Sequence, residues 1–145
     1  MIFSFGHAEK ERIEVDVQSY EREATGEYYD DNWLTVEIRI QAGGFHGKMS
    51  ASFITNELIT FLSALRPLYQ SLNGTARFDT LEEQLSLKLT GDGRGHFELS
   101  GEVSDQPGIG NSLRFTLQFD QSQLGTSIRE LEQVTLRFPE RKARH

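Results

Sequence analysis

Six stretches of this chain alternate apolar and polar residues with period two, and nothing else in the sequence restricts its fold as strongly. Ile13, Val15 and Val17 alternate with Glu14, Asp16 and Gln18, and Leu34, Val36, Ile38 and Ile40 alternate with Thr35, Glu37, Arg39 and Gln41. The pattern returns at Met49, Ala51 and Phe53, at Leu85, Leu87 and Leu89, at Phe97, Leu99 and Val103, and at Leu113, Phe115, Leu117 and Phe119. Successive side chains of a strand point to opposite faces, so each stretch buries one face and wets the other. One-sided strands of this kind belong in an antiparallel sheet, whereas parallel strands are buried on both faces. Turn signals separate them: Ala42-Gly43-Gly44, Gly91-Asp92-Gly93-Arg94-Gly95 and Asp105-Gln106-Pro107-Gly108 each join neighbours as a hairpin.

Two segments change to helical spacing. Leu58, Phe61, Leu62, Leu65, Leu68 and Leu72 form an apolar stripe over about residues 56–72, with Thr55 as N-cap, Glu57 in the first turn and Asn73-Gly74 as the stop. Pro67 is expected to kink or shorten that helix. Leu124, Ile128, Leu131, Val134 or Thr135, and Phe138 form the second stripe, over about 121–137, where Asp120 and Gln123 have the spacing of a capping box and Pro139 closes the run. The expected fold is α+β: an antiparallel, one-face-buried sheet of about six to eight strands with two amphipathic helices against one face. At an offset of 66 residues Phe53 matches Phe119, Leu58 matches Leu124, Leu62 matches Ile128, Leu65 matches Leu131 and Leu68 matches Val134. A duplicated hairpin-plus-helix unit is the plan these matches indicate. Seven strands would make a sheet ~34 Å wide, of which two helices cover only ~20 Å, so the sheet must curl or be covered elsewhere.

At 145 residues the chain is expected to form a single domain, 1–145, able to bury a core without covalent staples. The absence of cysteine excludes disulfides, thiolate catalysis and cysteine-bound zinc. No window has the ~20 apolar residues of a spanning helix, and the start of the chain lacks a basic leader, so no membrane association and a cytoplasmic location are expected. A net charge of −7 speaks against nucleic acid as a partner and favours a basic protein.

The chemistry-bearing motifs are weak. TGDGRGH (Thr90–His96) and AGGFHG (Ala42–Gly47) lack a following helix and a Lys-Ser/Thr end, so they read as hairpins and not as phosphate cradles. His7, His46, His96 and His145 never fall at metal-ligand spacing, and no cofactor or metal site is expected. A hydrolase built on Asp92, His96 or His46 would require their turns to line a cleft.

The remaining signal is a segment both acidic and aromatic. Residues 1–31 hold nine acids against three bases, Lys10, Arg12 and Arg22, and so carry −6 of the total −7. Tyr20, Tyr28, Tyr29 and Trp33, three of the four tyrosines and the only tryptophan, lie within or beside it. Rigid aromatic area set among carboxylates suits an interface for a basic partner. Tyr20, Tyr28, Tyr29 and Trp33 are the candidate anchors, and Glu21, Glu23, Glu27, Asp30 and Asp31 the candidate charges. The competing use is structural, with Trp33 and one tyrosine pointing inward and Glu14 and Asp16 forming the wet side of an edge strand. Two other readings are a self-associating accessory domain, a homodimer paired through edge strands, and binding through the open sheet face bearing Arg39, Lys88 and Arg114. The segment 139–145 reads as a polar tail.

The stretches YYDDNWLTVEIRIQAGGFHGKMSASF, LNGTARFDTLEEQLSLKLTGDGRGHFELSGEV and GNSLRFTLQFDQSQL resemble the WapI family of bacterial immunity proteins, over about Tyr28 to Phe138. The resemblance implies a small cytoplasmic protein that neutralises the toxic carboxy-terminal domain of a polymorphic cell-surface toxin, typically a nuclease. It implies no particular binding residues, and residues 1–27 lie outside it.

Overall fold

The computed structural model describes residues 1–7 and 9–142. Of the expected polar tail, residues 143–145, His145 included, lie outside the described residues.

The strands form two antiparallel sheets of four. The first holds β1 (Ile2–His7), β2 (Glu11–Tyr20), β3 (Trp33–Ala42) and β4 (Phe45–Ile54) in sequence order, with the short helix α1 (Tyr28–Asp31) between β2 and β3. Helix α2 (Thr55–Ser71) leads into the second sheet, β5 (Asn73–Asp79), β6 (Leu85–Asp92), β7 (His96–Gln106) and β8 (Ile109–Asp120), which α3 (Gln121–Arg137) follows. The α+β antiparallel fold is as the alternation requires, but the expected single sheet is in fact two. The reason lies in coverage: the inner faces of both sheets and the two long helices share one apolar cluster, whereas two helices lying on one wide sheet would leave part of it bare.

The alternating residues face inward as read. Val15 pairs with Ile38, Val17 with Val36 and Leu34 with Phe53 in the first sheet, and Leu89 with Leu99 and Phe97 with Phe119 in the second. One continuous apolar cluster takes in both sheets and both long helices. Phenylalanines join the halves: Phe5 lies 5.9 Å from both Phe61 and Phe119, and Phe78 lies 5.3 Å from Phe53 and 4.8 Å from Phe61. Each such ring is worth ~1.5–3 kcal/mol by burial.

The duplication is a four-strand-plus-helix unit, larger than the hairpin-plus-helix that the sequence indicates. Helices α2 and α3 each have 17 residues and start at 55 and 121, the same 66-residue offset. The helices also exchange partners. Helix α3 lies along the free edge of β1, where the Glu130 carboxylate accepts from the Ser4 backbone N–H at 3.1 Å and its hydroxyl at 2.9 Å. Ser127 donates its hydroxyl to the Ser4 carbonyl. Helix α2 packs in turn against β5. The other sheet edges are guarded across the halves: Gln84 donates to the Ser50 carbonyl of β4 at 2.9 Å, and Glu11 accepts from the Gln118 N–H of β8 at 3.1 Å.

The helix ends follow local chemistry. Asp120 and Gln123 form the expected capping box, with reciprocal bonds of 3.0 and 2.9 Å. At α2 the cap position is Ile54 and not Thr55: Glu57 reaches back to the Ile54 N–H at 2.7 Å, while Thr55 is buried as the first helical residue. Pro67 does not end α2, which continues to Ser71 because Leu65 and Leu68 on either side are anchored in the core. The helix stops at Leu72, in the left-handed region at φ 64°, one residue before the expected Asn73-Gly74 signal. Gly91 permits this, since a Cβ there would stand 2.4 Å from the Leu72 carbonyl oxygen.

Candidate functional site

The two halves differ most in one connection. Strands β6 and β7 are joined by the three residues 93–95, whereas the matching strands β2 and β3 are separated by the twelve residues 21–32. A loop of this size survives only if its polar groups find partners. Here two consecutive side chains supply them. The Asp31 carboxylate accepts from Thr25 N–H at 2.7 Å, Thr25 hydroxyl at 2.9 Å and Gly26 N–H at 2.8 Å. These bonds, chiefly the one from the Thr25 backbone, hold its carboxyl below the ordinary 3.8. Asn32, fully buried, binds the Tyr28 carbonyl, the Thr55 hydroxyl and both backbone groups of Arg141.

Between these ties, α1 lifts two rings outward. Tyr28 and Tyr29 meet edge to face at 5.2 Å, and Tyr29 is 66% exposed. They form one wall of an open groove of about 410 Å³, whose other walls are Ile54, Glu57, Asp79 and Leu81. Leu81, in the loop between β5 and β6, is also 66% exposed. Glu57 joins the two walls, accepting from Ile54 N–H at 2.7 Å and Leu81 N–H at 2.6 Å. Burial raises its carboxyl above the ordinary value against the pull of those two bonds. Among the described residues, no cation lies within ion-pairing distance of Glu23, Glu27, Asp79, Glu82 or Glu83.

The candidate anchors and charges therefore separate into groups. Tyr28, Tyr29, Glu23, Glu27 and Asp30 face outward, fully or in part, with Asp30 3.9 Å from Arg22. Glu21 is exposed but accepts a bond from the Ser52 hydroxyl. Asp31 is only 3% exposed and its carboxylate is used within the loop, so it does not offer charge to a partner. Tyr20 is covered: the Arg141 guanidinium lies 3.5 Å above its ring, Phe138 meets it at 5.7 Å, and its hydroxyl donates to the Pro139 carbonyl. Trp33 is half-buried at the start of β3, paired with Ile54. Burial, with the Glu140 carboxylate adding to it, raises the Tyr28 phenol above its usual range.

Sequence reading missed Leu81, Asp79 and Glu57. Leu81 gave the clearest signal, as an apolar residue stranded in the acidic run TLEEQ where neither strand nor helix periodicity accounts for it.

The other constellations have local explanations. Asp92 accepts from the N–H groups of Arg94 and His96 and closes its own turn, and His96 is 3.1 Å from Gln118. His46 belongs to the first sheet and His96 to the second, so they line different hairpins. On the outer face of the first sheet Arg39 is held by Glu37 at 2.8 Å, Glu14 at 3.1 Å and Asp16 at 3.4 Å. No helix among the described residues is long and apolar enough to cross a membrane.

Fold and site together define a class: a tandem two-sheet α+β protein with an open groove, lined by tyrosines, at the point where its internal repeat is broken. The sequence profile of the Immunity protein WapI-like family matches residues 3–139, nearly the whole chain, and the chain belongs to that family. The match reaches back through β1 and β2, so the acidic amino-terminal strands are part of the family pattern and not a departure from it. Membership suggests an immunity role. Among solved structures, the chain is similar to one from the crystal structures of Trypanosoma bruciei MRP1/MRP2, at a TM-score of 0.53 and 14% identity, over 95% of this chain and 86% of that one. At that identity the likeness is one of fold. No curated protein matches the sequence.

Proposed function

We propose that this protein neutralises a toxin domain by direct, stoichiometric contact, without catalysing a reaction, and that the contact face is the groove between α1 and the β5–β6 loop. The observation that carries this reading is the placement of Tyr29 and Leu81, both 66% exposed, on the walls of one groove that Glu57 and Asp79 also line. Exposed apolar and aromatic area of this kind is what interface anchors require. The carboxylates Glu23, Glu27, Asp30, Asp79 and Glu82 select a basic partner and speed its encounter. A nuclease fits that description, because it must hold phosphates with Lys and Arg, and an acidic inhibitor competes for the same surface. The family's immunity role agrees with such a partner.

Coexpression with the product of the adjacent upstream reading frame tests the proposal. Growth is restored, and a complex elutes from a sizing column. Tyr29→Ala and Leu81→Ala each weaken the complex by roughly 30-fold, as interface anchors do, with melting temperatures unchanged. No rescue and no complex would refute the inhibitor reading. Loss of binding on substituting Lys88 or Arg114, with Tyr29→Ala silent, would move the interface to the open sheet face. An elution volume that shifts on dilution of the protein alone would favour self-association instead.

A further inference from the structure

We propose that residues 139–141 form a strap that fixes the acidic aromatic loop in its binding shape, with Arg141 as the positioning residue. The inference rests on the proposed binding face. Its ground is that both ends of the 21–32 loop are bolted to this short segment. At one end the Tyr20 hydroxyl donates to the Pro139 carbonyl, and the Arg141 guanidinium stacks 3.5 Å above the Tyr20 ring. At the other end Arg141 N–H donates to Asn32 Oδ1 at 2.7 Å, and Asn32 Nδ2 donates to the Arg141 carbonyl at 2.7 Å. Arg141 also donates to the Arg22 carbonyl inside the loop, at 3.1 Å.

Asn32 has no capacity left over. Its two amide protons go to Arg141 and Tyr28, and its oxygen accepts from Arg141 and from Thr55 at 3.0 Å. Because this side chain is 0% exposed, removing the strap would leave one buried N–H and one buried lone pair of the amide unpaired, with only the bonds to Tyr28 and Thr55 remaining. The same amide spans three elements: the first residue of α1, the first residue of α2, and the strap. Through it the carboxy-terminal segment sets where Tyr28 and Tyr29 stand relative to Ile54 and Leu81. A face ordered in advance does not have to be ordered by its partner, and affinity rises accordingly.

The strap is a support and not an occupant of the partner's site. Its main-chain groups are engaged with a fully buried side chain, which a partner's cation cannot reach while the fold is intact.

The test compares wild type with Arg141→Gln, a half-buried position where a variant keeps the fold, and with Asn32→Asp, a near-isostere that turns two donors into acceptors facing carbonyl groups. Amide hydrogen exchange on the free protein and affinity for the coexpressed toxin domain are measured for each. Arg141→Gln speeds exchange over residues 22–32, leaves the sheet amides protected, and weakens the complex roughly tenfold, the size of a lost cation–π contact with its hydrogen bond. Asn32→Asp does both more strongly. Unchanged exchange in the loop of Arg141→Gln would overturn the inference, as would faster exchange with unchanged affinity. Tighter binding by Arg141→Gln would also overturn it, and would mean that the segment competes with the partner. If wild type itself binds no toxin domain, the binding-face reading fails, and the exchange data alone decide whether the strap holds the loop.

Discussion

Gly101 faces Phe115 across β7 and β8, at the position where the first half of the molecule pairs Ile38 with Met49. A Cβ at Gly101 would stand 2.4, 2.7 and 2.9 Å from three ring carbons of Phe115, where ordinary contacts are 3.4–4 Å. The ring must therefore retreat by about 1 Å (3.4 less 2.4) from a site in which Phe115 is only 6% exposed. Overpacking of this kind costs ~1–3 kcal/mol. The backbone of Gly101 lies outside the left-handed region, so alanine there also restricts the unfolded chain and returns ~0.5–1 kcal/mol. Gly101→Ala is thus expected to destabilise by ~1–2 kcal/mol, a fall in Tm of about 3–6 °C at ~3 °C per kcal/mol. Phe115→Met replaces the ring with a flexible side chain like that of Met49, and in that background Gly101→Ala becomes neutral or stabilising. Urea denaturation of the four proteins gives the coupling energy, expected at ~1–3 kcal/mol. A Gly101→Ala effect within ~0.5 kcal/mol of zero, or a coupling near zero, would show that the ring does not fill the glycine's space.

Two further expectations concern the docked helix and the loop. Glu130→Ala removes the acceptor of the buried Ser4 N–H and is expected to cost ~1–2 kcal/mol in thermal melts, whereas Glu132→Ala on the same helix changes little; equal effects would mean that α3 is held by its apolar stripe alone. The Asp31 carboxyl is held below 3.8, so the order it confers is complete above that pH and is lost as pH falls through its own lower value. Amides of Thr25 and Gly26 should lose exchange protection in that acidic window, and Asp31→Asn should abolish the pH dependence. Glu57 has the opposite sign, since burial raises its carboxyl above 4.5 and protonation relieves the folded state as pH falls through the raised value. Global acid stability therefore mixes the two, and only the loop amides isolate Asp31.

Where each strand buries a row of core residues the sequence was transparent. Val15, Val36 and Leu117 could not alternate with charged or polar neighbours for any other reason, and the Asp120–Gln123 box placed the start of α3 to the residue. Strand β5 was hidden because only Ala76 and Phe78 point inward, too few for a periodic signal. The break into two sheets was equally hidden, because alternation gives each strand a wet and a dry side but not which other strand lies opposite. At the candidate site, composition located the loop but did not sort its residues. Asp30 and Asp31 are adjacent and chemically identical, yet one is exposed and the other is 3% exposed, held by bonds to residues five and six positions earlier in the chain. Leu81 and Arg141 reach the same region from distant parts of the sequence, through pairing that no local pattern encodes.

The exchange of helices between the halves bears on how such a chain can be divided. A lone copy of the repeat would leave its first strand without the helix that guards it, and its own helix without a strand to lie on. Two copies would each complete the other, so fragments cut near residue 72 should be sticky apart and should reassemble when mixed. Within one polypeptide the two copies need not stay alike: one linker is a twelve-residue tied loop while its twin is a bare turn.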